Sequence, residues 1–150
     1  MKQISSRFSV AVHILSLIAV TPEPCTGDYL AGSVNTNPVI IRRISGMLKK
    51  AGLIDIRPGV GGATLCKPPG EITLLMVYRA VQAATEGELF HFHEHPNPAC
   101  PVGRNIESLL RAEMRAAQEA FEARLGATTL QQLADGFKPY LEKPTFTEVQ

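Results

Sequence analysis

The chain has 150 residues, 45% of them apolar, which suits one packed domain or one domain with a dimerisation arm, and it shows no repeats or low-complexity tracts. The opening MKQISSRFSV lacks the form of a signal peptide. The apolar run Val10–Val20 covers eleven residues including His13 and Ser16, short of the roughly 20 needed to cross a bilayer, so no membrane association is expected. Cys25, Cys66 and Cys100 are too few and too scattered for a disulfide framework, and a reducing cytoplasm is the expected location.

The net charge of +1 is unevenly spread. Residues 1–70 hold eight Lys/Arg against three Asp/Glu, a net of +5, and residues 71–150 hold seven against eleven, a net of −4. A basic front half suits a local phosphate-contacting face, although many ordinary proteins show the same asymmetry.

In chain order, Phe8, Ala11, Val12, Leu15, Ile18 and Ala19 recur at three- and four-residue steps. They predict a helix from Ser5 to Val20, capped by Ser5 or Ser6 and ended by the Thr21-Pro22-Glu23-Pro24 stretch. A short helix is predicted over Gly27–Val34, with Thr26 or Asp28 as cap, followed by an Asn35-Thr36-Asn37 turn. Asn37-Pro38 opens the next helix, since Asn is a strong cap and Pro loses no useful donor at the first position. That helix runs to Ala51, with Ile40, Ile44, Met47, Leu48 and Ala51 as its expected buried stripe and Val39, Arg42, Arg43, Gly46 and Lys50 on the other side.

Leu53–Ile56 and Ala63–Cys66 read as two strands joined through the glycine-rich Arg57–Gly62. Thr73 caps a helix to about Ala83, with Leu74, Val77, Tyr78 and Val81 apolar. Residues 84–103 read as irregular. A long helix spans Arg104–Leu125, a short one runs from Thr128 or Thr129 to Phe137, and the tail from Lys138 is expected to be loose.

Helix, helix, turn, helix and hairpin make a mainly α fold. The order is that of a winged helix-turn-helix over residues 1–70, followed by a sensing segment and a long dimerisation helix over 71–150. A helix in the major groove reads bases from its N-terminal residues, here Thr36, Asn37, Pro38, Val39, Arg42 and Arg43. Ser5, Arg7 and Lys50 are further candidate DNA contacts. Arg57 with Gly59, Gly61 and Gly62 forms the candidate wing, where glycines let the backbone approach the sugar-phosphate chain. Taken singly, each of these features also fits an ordinary helix cap, a solvated face or a plain turn. The absence of Gly-Lys-Ser/Thr after the GVGG tip argues against a nucleotide loop.

The stretch TNPVIIRRISGMLKKAGLIDIRPGVGGATLCKPPGEITLLMVYRAV resembles the Rrf2 family of bacterial winged-helix regulators, through its NPVxIRRI, LxKAGLI, RPGxGG and ITLLxVYRAV runs. The resemblance extends over about residues 1–140. It implies a homodimer on a palindromic operator, held through Ile106, Leu109, Leu110, Met114, Ala117 and Phe121 of the long helix. Family members with an iron–sulfur cluster hold it on three closely spaced cysteines before that helix, whereas this chain has only Cys100 there. A cluster needs several thiolates in one place, so none is expected, and HEHPNPACPVGRNI resembles the cluster-free YwnA-type branch.

Cys100, just before a helix N-terminus and four residues from Arg104, is the candidate redox or thiol sensor of an expected repressor, the helix end and the cation favouring thiolate. A small buried apolar Cys is the competing reading. His91, His93 and His95 alternate, so in an extended strand they would share a side and offer a metal site with Cys100; loop and interface histidines near a helix start are the plainer reading, and no metal is expected. An acidic second half that binds a metabolic enzyme is a further alternative. An enzyme is not expected: GxSxG and HExxH are absent, and a Cys100–His93 or Cys100–His95 pair has no oxyanion hole or orienting group to complete it.

Overall fold

The computed structural model describes residues 6–59, 61–82 and 92–141. Ser5, Val60 and His91 fall outside the described residues. The elements are α1 (Arg7–Val20), α2 (Gly27–Val34), α3 (Pro38–Lys50), β1 (Ile54–Arg57), β2 (Gly62–Leu65), α4 (Leu74–Gln82), α5 (Pro101–Gly126) and α6 (Leu130–Leu141). Three helices followed by an antiparallel hairpin form a winged helix-turn-helix, and α4 to α6 build onto it.

Helix α1 is the hub. It buries Ala11, Ile14, Leu15 and Ile18, spaced to form one stripe, and packs against α2, α3, α4 and α6. Ser6 stands at its N-cap without a side-chain hydrogen bond, so packing rather than capping holds the helix. Around it close Leu30 of α2, Ile41, Ile44 and Leu48 of α3, Leu53 and Ile54 at the hairpin base, Val77 and Val81 of α4, and Leu130 of α6.

The buried stripe of α3 is Ile41, Ile44, Ser45 and Leu48. The expected stripe was rotated: Ile40 is 40% exposed and Ala51 is exposed, with Met47 half-buried. Ile40 and Ile41 are equally apolar and lie four and three residues before Ile44, so spacing does not separate them, and packing against α1 does. Ser45 then completes the buried row despite its hydroxyl.

Other boundaries shift by less. Strand β1 lies one residue later, and β2 one residue earlier, than expected. They pair Ile54 with Leu65, Asp55 with Thr64, Ile56 with Ala63 and Arg57 with Gly62. Helix α5 starts at Pro101 rather than Arg104, because Pro is tolerated in a first turn. Helix α6 continues past Lys138 to Leu141, with Pro139 in its last turn. Its start carries a reciprocal cap: Gln132 N–H donates to Thr129 Oγ1 at 3.3 Å, and Thr129 N–H donates to Gln132 Oε1 at 2.9 Å. Thr73 caps α4 as expected, accepting from Met76 N–H at 3.2 Å.

The hairpin does not project freely. Cys25 N–H donates to Ala63 O at 3.0 Å, and Ala63 N–H donates to Cys25 O at 2.7 Å. This bridge ties β2 to the α1–α2 connection. Gly62 lies beside it at φ +72, where an added Cβ would come within 2.8 Å of the Cys25 carbonyl. Gly59, at φ +82, has open space around it. Gly62→Ala should therefore cost about 2–3 kcal/mol, from left-handed strain plus a backbone clash, and Gly59→Ala about 1 kcal/mol from strain alone. Urea denaturation of the two variants checks this, and equal losses would contradict the docked hairpin.

Candidate nucleic-acid interface

The turn before α3 is built from short polar residues that satisfy helix ends. Thr26 starts α2 by accepting from Tyr29 N–H at 3.2 Å. Asn35 ends it in the left-handed conformation at φ 58, which Asn tolerates better than most residues. Asn37 then caps α3, its Oδ1 accepting from Val39 N–H at 2.8 Å, with Pro38 in the first turn. Of the two uses expected for the Asn37 side chain, capping is the one present; its carbonyl oxygen is engaged within the chain.

Beyond the cap, Val39, Arg42, Arg43 and Gly46 recur at steps of three and four on α3, and all are exposed. Ile40 and Lys49 are also exposed. These two were missed because Ile40 was placed in the core and Lys49 lies next to the singled-out Lys50. Lys50 sits about 18 Å along the helix from Pro38, at 1.5 Å per residue. It lines a cleft with Arg7 of α1 and Arg79 of α4, so Arg7 and Lys50 stand together at the far end of α3, away from the reading turn.

The wing presents Arg57, which is exposed, from the end of β1. A Cβ on Gly61 would fall 2.2 Å from Arg57 Cβ, so Gly61 gives the Arg57 stem its place. Gly59, Gly61 and Gly62 thus have three separate tasks: a turn, a side-chain seat and a docking contact.

The candidate sensing segment lies at the other end. Cys100 is the N-cap residue of α5 and is exposed. Its side chain makes no capping hydrogen bond, but the backbone N–H groups of Gly103, then Val102, at the helix end hold the thiol pKa below its usual value. Arg104 is not among the causes, so the lowering belongs to the helix end alone. The turn is tight: Gly103 lies against Asn97, where a Cβ would meet Asn97 O at 2.6 Å. Arg111 stacks over the Phe92 ring at 4.7 Å and ties this segment to α5.

His93 and His95, the described members of the alternating set, do not lie on a strand that would aim them together. His93 lies outside any strand, and His95 has a left-handed backbone at φ 58, which breaks the extended geometry. Among the described residues no three His, Cys, Asp or Glu side chains converge as a metal site.

Helix α5 buries no side chain fully among the described residues. Leu109 is 70% exposed and Leu110 40%. Ala117 is exposed, and Ile106 and Met114 are half-buried. Phe121 differs: it packs within the chain, edge-on to Tyr78 at 5.4 Å, and Tyr78 in turn meets Phe8 at 5.9 Å. This ladder anchors the C-terminal part of α5 to α4 and α1.

Comparison with known proteins agrees with this architecture. The Rrf2 family, described as an iron-dependent transcriptional regulator, matches residues 4–136. The chain is similar to the candidate HTH-type transcriptional regulator YwnA of Bacillus subtilis (strain 168). The two are 49% identical over 127 residues, covering 85% of this chain and 93% of that protein. A solved structure of a candidate DNA binding protein is 40% identical, with a TM-score of 0.68 over 85% of this chain and 98% of that one. The global cysteine regulator CymR (YrzC) of B. subtilis shares the fold at 24% identity, with a TM-score of 0.65 over 90% of this chain and 98% of its own. The matched family and relatives are transcriptional regulators, not enzymes.

An iron–sulfur cluster held by cysteines does not fit the residues of this chain. Cys25 is buried beneath the hairpin, Cys66 follows β2 and Cys100 caps α5; a cluster needs such thiolates side by side. Burial pushes the Cys25 thiol up, while Cys100 is lowered. Iodoacetamide at neutral pH should therefore alkylate Cys100 well before Cys25, and Cys25 only on unfolding. Peptide mass spectrometry reads the order, and early labelling of Cys25 would contradict it.

Proposed function

The chain belongs to the Rrf2 family of transcriptional regulators, and from that premise we propose that it is a homodimeric repressor of a palindromic operator. In this reading Thr36, Asn37, Pro38, Val39, Arg42 and Arg43 meet the major groove of each half-site, and Arg57 with the glycine tip meets the adjacent backbone or minor groove. Lys50, Arg7 and Ser5 are assigned to flanking phosphates rather than bases. The division at residue 70 then separates a DNA-binding unit from a sensing and dimerisation arm.

One observation carries the reading. The exposed face of α3 begins at a capped N-terminus and continues through Val39, Arg42, Arg43 and Gly46. Such a face offers guanidinium groups for guanine or phosphate, an apolar contact for a thymine methyl, and a low point at Gly46 that lets the helix lie close to the base edges. The dimer is supported by α5, which carries Val102, Leu109 and Leu110 at 69%, 70% and 40% exposure. A long helix with apolar residues left in water gains by pairing.

Cys100 is the proposed responsive group. Its thiolate attacks a peroxide oxygen, an S–O bond forms as the O–O bond breaks, and hydroxide leaves, so the sulfur is oxidised to a sulfenic acid. The modified sulfur stands at the start of α5, where a change would alter dimer geometry and release DNA.

Gel-shift titration on a duplex selected from a random library tests the reading. Arg42→Ala and Arg43→Ala should each weaken specific binding by about 1–3 kcal/mol. Arg57→Ala should weaken binding to all sequences and flatten the salt dependence. Cys100→Ser should bind normally and ignore peroxide. Unchanged affinity in both α3 variants would overturn the reading of α3, and unchanged peroxide release in Cys100→Ser would overturn the role of the thiol.

A further inference from the structure

A cleft of about 220 Å³ lies where α2, α3 and the hairpin meet. Its lining includes Cys25, Asp28, Ile41, Arg42, Ser45 and Ala63. Ser45 is only 6% exposed, and its Oγ is buried with no hydrogen-bond partner among the described residues. A buried hydroxyl left without a partner has a cost that a bound polar group would remove. At the rim, Asp28 and Arg42 are exposed, and neither takes part in an ion pair among the described residues.

We propose that this cleft binds a free α-amino acid with a small side chain. The two rim charges are of opposite sign, as a zwitterion requires: Asp28 for the ammonium, Arg42 for the carboxylate. The side chain enters toward the Ser45 hydroxyl, among Cys25, Ile41, Ile56 and Ala63. Ser45, Ile41, Ile56 and Ala63 are uncharged and burial pushes the Cys25 thiol up, so the inner wall is neutral and selects an uncharged side chain. The volume falls below the roughly 300 Å³ at which pockets for drug-sized ligands begin, which limits the ligand to small members of the class.

The site also has a regulatory consequence, which rests on the reading of α3 as the DNA-contacting helix. Arg42 cannot hold the ligand carboxylate and a base or phosphate at once. Occupancy therefore withdraws one of the reading residues, and ligand and DNA oppose one another.

Isothermal titration of the full-length protein tests the site without DNA. L-serine, L-alanine and L-cysteine are the probes; L-tryptophan controls for size and N-acetyl-L-serinamide for charge. The expected result is saturable binding of at least one small amino acid and none of the two controls. Asp28→Asn should weaken it by about tenfold or more. Ser45→Val should abolish it by filling the cleft, and Ser45→Ala, which removes only an unpartnered hydroxyl, should fold normally and bind more weakly. Failure of all three probes to bind at millimolar concentration, equal binding of the serinamide, or binding indifferent to Asp28→Asn and both Ser45 variants would overturn the site. DNA anisotropy with and without the bound amino acid separates the two readings. Unchanged DNA affinity would overturn the antagonism. A protein that binds the amino acid but no duplex would leave the site standing and remove the proposed function.

Discussion

Two hydrogen bonds between Cys25 and Ala63, at 3.0 and 2.7 Å, fix where the hairpin lies. A two-stranded hairpin is marginal by itself, and this one is four residues a strand. The bridge gives β2 a second backbone partner beside β1, and the buried Ile54 and Ala63 add the apolar contact that holds it. Gly62 is the residue that permits the close approach. With the hairpin docked, Arg57 and the α3 face become parts of one body whose relative positions do not depend on a ligand. The same docking closes the cleft that holds Ser45, so the proposed ligand site and the proposed DNA face share a wall.

Helix α4 connects this body to the rest. It packs against α1 and α3 on one side and α5 on the other, and Tyr78 on it links Phe8 of α1 to Phe121 of α5. Leu74 N–H donates to Thr128 O at 2.9 Å, which ties the start of α4 to the α5–α6 connection. The base of α5 is thus held inside the chain while its N-terminal turns, with Cys100, Val102 and Leu109, face outward. A second protomer placed along those turns would leave the aromatic ladder intact. Phe121 accordingly belongs to the chain's own packing first, and Leu109 and Leu110 carry more of the case for a partner.

Much of this was legible in the residues, because local chemistry decided it. Thr26, Asn37, Thr73 and Thr129 cap helices where short polar side chains precede apolar periodicity, and the turn glycines mark the hairpin. The buried face of α3 was misread because Ile40 and Ile41 offer the same hydrophobicity, and tertiary contact with α1 chooses between them. The Cys25–Ala63 bridge joins residues distant in sequence through backbone groups, which side-chain patterns do not encode. The cleft behind Ser45 was invisible for the same reason: its walls come from three elements, and a single serine in an apolar stripe carries no signal of a pocket. Lys50 falls on the same side of α3 as the reading residues in the sequence, and its distance from the reading turn and its nearness to Arg7 of α1 emerge only from the helix length and the cleft the two residues share.

The central claim is that hairpin and reading helix form one rigid body through the Cys25–Ala63 bridge. Native-state hydrogen exchange of the individual amides tests it most directly. The account predicts that the Cys25 and Ala63 amides are protected to the level of the α1 and α3 core and far beyond the hairpin tip. Exchange of both amides at the rate of the tip, with the core still protected, would contradict it.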